Sequence, residues 1–166
     1  SNCGYLEAIE DAKKIIEERK NAIHIDIDKI AHQVLTIPEV KHQLQEKFKD
    51  VLTNNEVDRK KLEPIVFSSQ DNMDILTQIT WPYMEQEIDR IINKNKDKII
   101  ILDYLLLPKT KYFDQSDIKI LLDIPQEVRQ ARIIQRDNIS EDKFNLRDSS
   151  SIDYAKEKFD YIISSD

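Results

Sequence analysis

The chain has 166 residues, and only one of them is glycine, where average usage of about 7% would give roughly a dozen. Glycine-rich phosphate-binding loops need at least two glycines, so neither a GxxxxGK[S/T] nor a GxGxxG motif is present. The net charge of -7 argues against a general nucleic-acid-binding protein, whose surface would be basic, and no apolar run approaches the roughly 20 residues of a membrane span.

The remaining composition describes an ordinary globular domain. Hydrophobic residues make up 40% of the chain and charged residues 34%, which is enough for one core in one domain of this length. The single cysteine, Cys3, cannot form an internal disulfide, so we expect a protein of the reducing cytoplasm.

Apolar spacing predicts mostly helices in the first half of the chain. The predicted elements are, in order, a helix over 5–19, a strand over 22–25, helices over 27–35 and 38–51, and a turn at Asn54-Asn55. Asp58 is expected to cap a helix that ends near Phe67, and Asp71 to cap a long helix through Asn93. Pro82 should kink or interrupt that long helix.

Apolar runs alternate with helices in the second half. The run 99–102 is typical of a strand buried on both faces. Further strands are predicted over 118–122 and 161–163, and further helices over 125–136, 140–146 and 152–158. Buried strands separated by helices indicate an α/β fold with a mostly parallel sheet. The all-helical stretch from Pro38 to Asn95 is interpreted as an insertion that caps one side of this sheet.

Candidate functional residues follow the predicted strands, because ligands bind at the carboxyl ends of strands in such sheets. Asp26 and Asp28 follow the first strand, and Asp103 follows the second. A carboxylate there can accept a hydroxyl proton or help to hold a metal, or it can simply cap the next helix. With two carboxylates available, both interpretations can hold.

Other residue types are less specific. Arg132 and Arg136 lie four residues apart on one predicted helix, with Arg129 on the same helix and Arg147 after it; arginine forks suit phosphate oxygens, although a solvated helix face is the simpler interpretation. The three histidines show no metal-ligand spacing, so no metal site is predicted from them. Trp81 is either a core residue or the wall of a ligand pocket.

Several segments of the chain, taken in order, resemble the conserved segments of the dephospho-coenzyme A kinase family. The first, Ile25-Asp26-Ile27-Asp28-Lys29-Ile30-Ala31-His32-Gln33-Val34, is similar to that family's "IDADxIAHxV" pattern. The others are 58–67, similar to "DRxxLxxxVF"; 76–82, similar to "LxxIxHP"; 101–107, similar to "xxLDxPLL"; 127–137, similar to "EVQxxRxxxRD"; and 159–163, similar to "ADxVI". Their order and spacing match over essentially the whole chain.

The chain departs from the family pattern at a few positions. Ile27 replaces alanine, Trp81 replaces histidine, Leu105 replaces proline and Arg129 replaces glutamine, while serines at 149–151 replace a lid glutamine.

The resemblance implies a P-loop kinase fold whose core spans about 1–36, 96–136 and 152–166, with a helical acceptor-binding insertion over about 37–95 and a lid over about 137–151. It implies transfer of the ATP γ-phosphoryl group, with Mg²⁺, to the ribose 3′-hydroxyl of dephospho-CoA. Asp28 matches the base that receives the hydroxyl proton, and Arg136 the arginine at the nucleotide phosphates. The other matching positions are Asp26, His32, Arg59, Trp81, Asp103 and Leu106 toward the acceptor, and Gly4, Arg132 and Arg147 toward the nucleotide.

The nucleotide half of the pattern is altered. Alignment without gaps places Gly4 at the start of the family's phosphate loop, but puts Glu10 at the position of its lysine and Asp11 at that of its magnesium-binding serine or threonine. A carboxylate repels phosphate where a lysine would neutralise it. The family's first strand and its C-terminal helix are not found among the residues 1–166. Two explanations compete: either the chain has diverged, and we expect a gap or exposed edges in the sheet, or the sequence is incomplete and the gapless alignment at its start is wrong.

Three hypotheses remain open at this point. The first is a divergent dephospho-CoA kinase with weak or absent use of ATP. The second is a non-catalytic relative that binds CoA, dephospho-CoA or a protein. The third is another nucleoside or nucleotide kinase of the same fold. No nucleic-acid or membrane partner is expected.

Overall fold

A computed structural model describes residues 21–123 and 156–164, together with the single residues 10, 14, 18, 127 and 131. The chain divides into two compact units. One unit is Asn21–Tyr104, and the other combines Ser1–Lys20 with Leu105–Asp166. No helix in the described part is both long and apolar enough to cross a membrane.

The unit Asn21–Tyr104 is built on two parallel strands. Strand β1 (Ala22–Asp26) pairs with β4 (Ile99–Asp103) in a register that sets Ala22 opposite Ile99 and Asp26 opposite Asp103. Helices connect the two strands, as a parallel crossover requires. The predicted α/β class with parallel strands is therefore confirmed.

Helix α1 (Ile27–Val34) begins directly after the last residue of β1, and its bounds are within one residue of the predicted ones. Asp26 caps it, because its Oδ1 accepts a hydrogen bond from the Lys29 backbone amide at 3.2 Å. Ile27, Ile30 and Val34 are buried at helical spacing, which fixes the face that α1 presents to the core.

Helix α2 (Pro38–Lys47) is shorter than predicted. Phe48 is already extended, and a hairpin follows in which β2 (Leu52–Thr53) pairs antiparallel with β3 (Glu56–Val57). Asn54 and Asn55 form its turn with φ values of 52° and 64°, a left-handed geometry that asparagine tolerates well. The turn was predicted, but the all-helical interpretation of 38–95 was wrong.

The reason for this error is visible in the burial. Phe48 and Val51 continue the helical spacing of Val40 and Leu44, and all four are buried. Phe48 and Val51 lie in the non-helical segment that leads from α2 into the hairpin. Together the four form a cluster with residues of the next two helices: Val40, Leu44, Phe48, Val51, Leu62, Val66 and Ile79.

Helix α3 (Arg59–Val66) is capped by Asp58, as predicted. Helix α4 (Gln70–Lys94) is capped by Ser69 and not by Asp71, because Ser69 Oγ accepts from the Asn72 amide at 3.1 Å.

Helix α4 runs without a break through Pro82, so the predicted interruption is absent. A proline removes one hydrogen bond from a helix interior. Buried residues on both sides of it, Ile79, Met84 and Ile88, hold the helix against the rest of the unit.

Strand β4 is less buried than its sequence suggests. Ile99 is 66% exposed, and the four residues that follow it are only partly buried. In the described part of the chain β4 pairs with β1 alone, so neither edge of this pair has a described strand beside it. The prediction of burial on both faces was wrong.

In the described part of the other unit, a 3₁₀ turn (Leu107–Lys109) precedes helix α5 (Lys111–Gln115) and strand β5 (Ile120–Asp123). A second 3₁₀ turn (Lys156–Lys158) precedes β6 (Tyr161–Ser164), which pairs parallel with β5.

Both predicted strands of this unit are present, although β5 begins two residues later than expected. Side chains tie the two strand segments together. The ring of Phe113 meets that of Phe159 edge-on at 5.3 Å, and Asp160 Oδ2 accepts from the Lys119 amide at 2.7 Å.

The other predicted helices fall largely outside the described residues. Glu10, Lys14, Glu18, Glu127 and Ala131 are helical. The remainder of 5–19 and 125–136, and the whole of 140–146, lies outside that part of the chain, as does 152–155.

Candidate functional site

Two carboxylates meet where β1 and β4 end. Because the strands are parallel, their carboxyl ends lie at the same edge of the pair, and Asp26 stands directly opposite Asp103. Like charges in this position are unfavourable. Each therefore needs a partner of its own, and each has one.

The two partners are different in kind. Asp26 accepts from the Lys29 amide at the start of α1, where the helix dipole also favours a negative charge. Asp103 Oδ2 lies 3.1 Å from Nε2 of His24, which comes from the middle of β1. The capping interpretation of Asp26 is thus correct, and Asp26 still contributes its charge to this edge.

Asp28 is the third carboxylate at this edge. It lies in the first turn of α1 and makes no hydrogen bond to any described residue. The residue keeps one side in solvent, but protein atoms crowd its carboxyl group, and this partial burial raises its pKa from the ordinary value of 3.8. Asp26 and then Asp103 raise that pKa further through charge repulsion.

The result is a carboxylate that binds a proton more readily than a free aspartate. General bases work best when their pKa lies close to the working pH, so the shift is in the useful direction for proton acceptance. The structure thus brings Asp26, Asp28 and Asp103 together, as the strand order predicted.

His32 follows Asp28 by four residues and so lies on the same face of α1. Partial burial lowers the pKa of its imidazole, and the nearby positive charge of Arg59 lowers it further, while Asp26 and Glu63 act in the opposite direction. The net shift favours the uncharged form of the His32 imidazole. Arg59 itself is half exposed and hydrogen bonds to Glu63 at 3.2 Å.

Trp81 stacks against Tyr104. Its ring lies parallel to that of Tyr104, with an interplanar angle of 8° and a centroid separation of 6.5 Å. Burial, and then the negative charge of Asp28, raise the pKa of Tyr104 to about 12. Its hydroxyl group is therefore neutral at any physiological pH and is near enough to Asp28 to sense its charge.

Sequence reasoning did not select Tyr104 or His24. Tyr104 follows Asp103 in the segment that resembles the family, at a variable position, and only its place after a strand could have indicated it. His24 lies inside a predicted strand, where a histidine is usually explained by packing alone.

A separate cleft of about 440 Å³ lies between α1 and α4. Ile30, Gln33 and Val34 line it from α1, while Tyr83 and Arg90 line it from α4. Helical spacing places those α1 residues away from the face that carries Asp28 and His32. The carboxylate edge therefore does not open into this cleft.

The nucleotide side of the predicted site is not part of the structure's description. Gly4, Arg132, Arg136 and Arg147 lie outside the described residues. Leu106 lies in the other unit, just before the first 3₁₀ turn. The predicted roles of these residues stay predictions.

Comparison with known proteins identifies the family. The family model for dephospho-CoA kinase matches residues 12–163. A dephospho-CoA kinase of Enterococcus faecalis is 30% identical over 116 residues, which are 68% of this chain and 58% of that protein. A dephospho-CoA kinase of Fusobacterium nucleatum is 34% identical over 118 residues, which are 69% of this chain and 61% of that protein.

Solved structures agree in fold. A dephospho-CoA kinase from Campylobacter jejuni superposes with a TM-score of 0.60 at 27% identity, covering 98% of this chain and 83% of that one. A Thermus thermophilus protein superposes with a TM-score of 0.73, covering 95% of this chain and 82% of that one, but at 16% identity it speaks for the fold alone. The family model covers most of the chain, and the chain therefore belongs to the dephospho-CoA kinase family.

Proposed function

We propose that the unit Asn21–Tyr104 binds dephospho-CoA and that the protein transfers the γ-phosphoryl group of ATP to the ribose 3′-hydroxyl of that acceptor. The observation that carries the proposal is the state of Asp28: a carboxylate with a raised pKa, at the carboxyl ends of two parallel strands. Family membership supports the choice of acceptor.

In this reaction the 3′-oxygen forms a bond to the γ-phosphorus as the bond from that phosphorus to the bridging β–γ oxygen breaks, and ADP leaves. The hydroxyl proton passes to the Asp28 carboxylate and from there to solvent. Phosphoryl transfer needs positioning and charge neutralisation more than covalent help. The carboxyl ends of β1 and β4 therefore need to supply only a base with a raised pKa for phosphoryl transfer.

The remaining acceptor residues would orient the substrate. Asp26 and Asp103 are hydrogen-bond acceptors held in place by their own partners. Arg59 carries a guanidinium fork of the kind that suits the phosphates of a nucleotide-containing acceptor. Trp81 and Tyr104 offer flat apolar surface beside the base.

The nucleotide half of the proposal rests on residues that only the sequence indicates. Arg136 would neutralise phosphate charge during transfer, with Arg132 beside it, Arg147 from the lid and Gly4 at the phosphate loop. Glu10 and Asp11, in contrast, would repel phosphate. We also propose that the protein carries out this reaction in the cytoplasm.

The nucleotide half of the proposal also includes Mg²⁺, which would bind together with ATP. No group of three or more His, Cys, Asp or Glu side chains in the described part of the chain is arranged to hold a metal. An Mg²⁺ ion that arrives with ATP is held largely by phosphate oxygens and water, with only one or two carboxylates. The carboxylate oxygens at the strand ends are donors of the kind it prefers, and we assign no described residue to it.

The test is release of ADP from Mg-ATP in the presence of dephospho-CoA. We expect turnover in the wild-type chain that is lost in Asp28→Asn. Asp97→Asn, at an exposed turn, is the matched control and should behave as wild type. Absence of turnover in the wild type with any nucleotide would contradict the kinase proposal.

A second candidate function is a non-catalytic module that binds CoA or dephospho-CoA. It is favoured by one observation: nearly all the predicted acceptor residues fall within a single compact unit. This candidate predicts a rise in melting temperature with dephospho-CoA but none with Mg-ATP, because a bound ligand stabilises the folded state by mass action. A rise with both ligands would favour the kinase.

A further inference from the structure

His24 occupies an unusual place for a histidine within a strand. Its side chain is 16% exposed, and its Nε2 lies 3.1 Å from Asp103 Oδ2 on the neighbouring strand. The register sets His24 opposite Ile101, so the imidazole reaches diagonally, two positions along β4, to find this carboxylate. Nε2 can donate to Oδ2 in the corresponding neutral tautomer and in the charged form.

The shared face of the two strands explains why the contact forms. Side chains two residues apart on a strand point to the same side, so His24 and Asp26 lie on the face that also carries Asp103. Asp26 is satisfied by the start of α1. Without His24, Asp103 would face Asp26 across the pair with no hydrogen-bond donor among the residues that the structure describes.

The contact uses only one oxygen of Asp103. Within the described residues, Oδ1 of Asp103 accepts no hydrogen bond, and the side chain is 44% exposed. The terminal torsion of an aspartate is broad, so a carboxylate without a partner samples many orientations. A donor fixed on Oδ2 removes that freedom and leaves Oδ1 available to a ligand.

We propose that His24 is a positioning residue of the acceptor site, which holds the Asp103 carboxylate so that its free oxygen accepts a hydrogen bond from a hydroxyl or N–H group of the bound acceptor. The inference rests on the proposed function, because the acceptor is dephospho-CoA. It assigns a role to a residue outside the segments that resemble the family.

The competing interpretation is that the hydrogen bond between His24 and Asp103 only stabilises the pairing of β1 with β4. The two differ in what a substitution changes. If the hydrogen bond serves stability alone, substitution of His24 changes the melting temperature and leaves the affinity of the folded protein for dephospho-CoA unaltered. A positioning residue affects affinity, and its effect disappears when Asp103 can no longer be positioned as a carboxylate.

The experiment measures the dissociation constant for dephospho-CoA by calorimetry, and the melting temperature, in each variant. His24→Leu removes the donor at similar volume and should weaken binding roughly tenfold, as expected for loss of a hydrogen bond to a charged group. His24→Gln places an amide nitrogen near the position of Nε2 and should restore most of the affinity. His42→Leu, at an exposed histidine of α2, is the matched control.

The double variant completes the test. We expect His24→Leu to have no further effect on affinity in the Asp103→Asn background. If His24→Leu binds dephospho-CoA as tightly as the wild type, the positioning role is wrong, whatever the melting temperature does. If the wild type itself does not bind dephospho-CoA, the acceptor proposal is wrong and this inference fails with it.

Discussion

Two helices of the unit Asn21–Tyr104 each begin after a strand and a capping aspartate, but an aspartate at the start of one has a lowered pKa and an aspartate at the start of the other has a raised pKa. Helix α1 follows β1 through Asp26, and α3 follows β3 through Asp58. Asp58 accepts from the Thr53 hydroxyl at 2.9 Å and the Lys60 amide at 3.0 Å, and the Thr53 hydrogen bond is the main cause that lowers its pKa. Asp28, the second residue of α1, accepts no hydrogen bond from any residue that the structure describes, and its pKa is raised.

The difference shows that a strand, an aspartate and a helix in succession do not by themselves specify a catalytic group. At the start of α3 the hairpin brings a donor to the carboxylate, and the charge stabilises the structure. At the start of α1 the neighbouring strand brings another carboxylate. The charge on Asp28 therefore has a cost that packing alone does not explain, which is common at functional sites.

The largest expected effect contrasts the two carboxylates in catalysis. Asp28→Asn should lower the turnover number by about 10²- to 10⁴-fold, the range of general-base contributions. Asp58→Asn should leave the turnover of the folded protein close to that of the wild type. ADP release under saturating substrates measures both. Equal losses in the two variants would remove the distinction between these helix starts.

Stability should respond in the opposite sense. At pH 7, Asp58→Ala is expected to lower the melting temperature, because it removes a cap and orphans backbone amides at the start of α3. Asp28→Asn should raise the melting temperature, because it removes a charge that repels Asp26 and Asp103. Thermal unfolding followed by circular dichroism gives both values, and a rise for Asp58→Ala would contradict the capping role.

The pH dependence follows from the signs of the two shifts. Asp58 has a lowered pKa, so the stability it contributes is present above its ordinary value of 3.8 and is lost as the pH falls through its folded pKa. Asp28 has a raised pKa, so its contribution to the stability of the folded protein is most favourable below its ordinary value of 3.8. That contribution is lost as the pH rises through the pKa of Asp28 in the folded protein.

Urea unfolding from pH 3 to pH 7 should show these opposite trends. The advantage of Asp28→Asn over the wild type is expected to shrink toward zero at the acid end. The disadvantage of Asp58→Asn should also shrink there. Parallel curves for a variant and the wild type across this range would mean that the substituted group does not titrate differently on folding.

The smallest expected effect separates crowding by protein atoms from repulsion between charges. Partial burial is the largest cause of the raised pKa of Asp28, and Asp103 is the smallest of the three. Asp103→Asn should therefore lower the pKa of Asp28 only in part and leave it above 3.8. Carboxyl carbon shifts in an NMR titration measure this directly, and full return to 3.8 would assign the shift to charge alone.

Much of this arrangement could be predicted from the sequence. The parallel pair, the cap at Asp58 and the meeting of Asp26, Asp28 and Asp103 all follow from local patterns and from the direction of the strands. The cap depends on a short-range rule, and the meeting of the carboxylates depends on the general rule that parallel strands end at the same edge of a sheet.

The features that could not be predicted depend on contacts between distant residues. The hairpin at 52–57 was hidden because Phe48 and Val51 keep helical spacing while they are buried by other means. The contact of His24 with Asp103 joins residues 79 positions apart in the chain. Leu106 and the nucleotide residues keep the roles that the resemblance implies, as predictions.

The stacked pair of Trp81 and Tyr104 has a consequence for observation in solution. Trp81 is the only tryptophan in the chain, and its ring lies beside Tyr104, which senses the charge of Asp28. Fluorescence that is excited at about 295 nm or above, where tyrosine absorbs little, therefore arises from Trp81. The emission of an unlabelled chain therefore reports on the surroundings of Trp81 and Tyr104, which belong to the acceptor site proposed above.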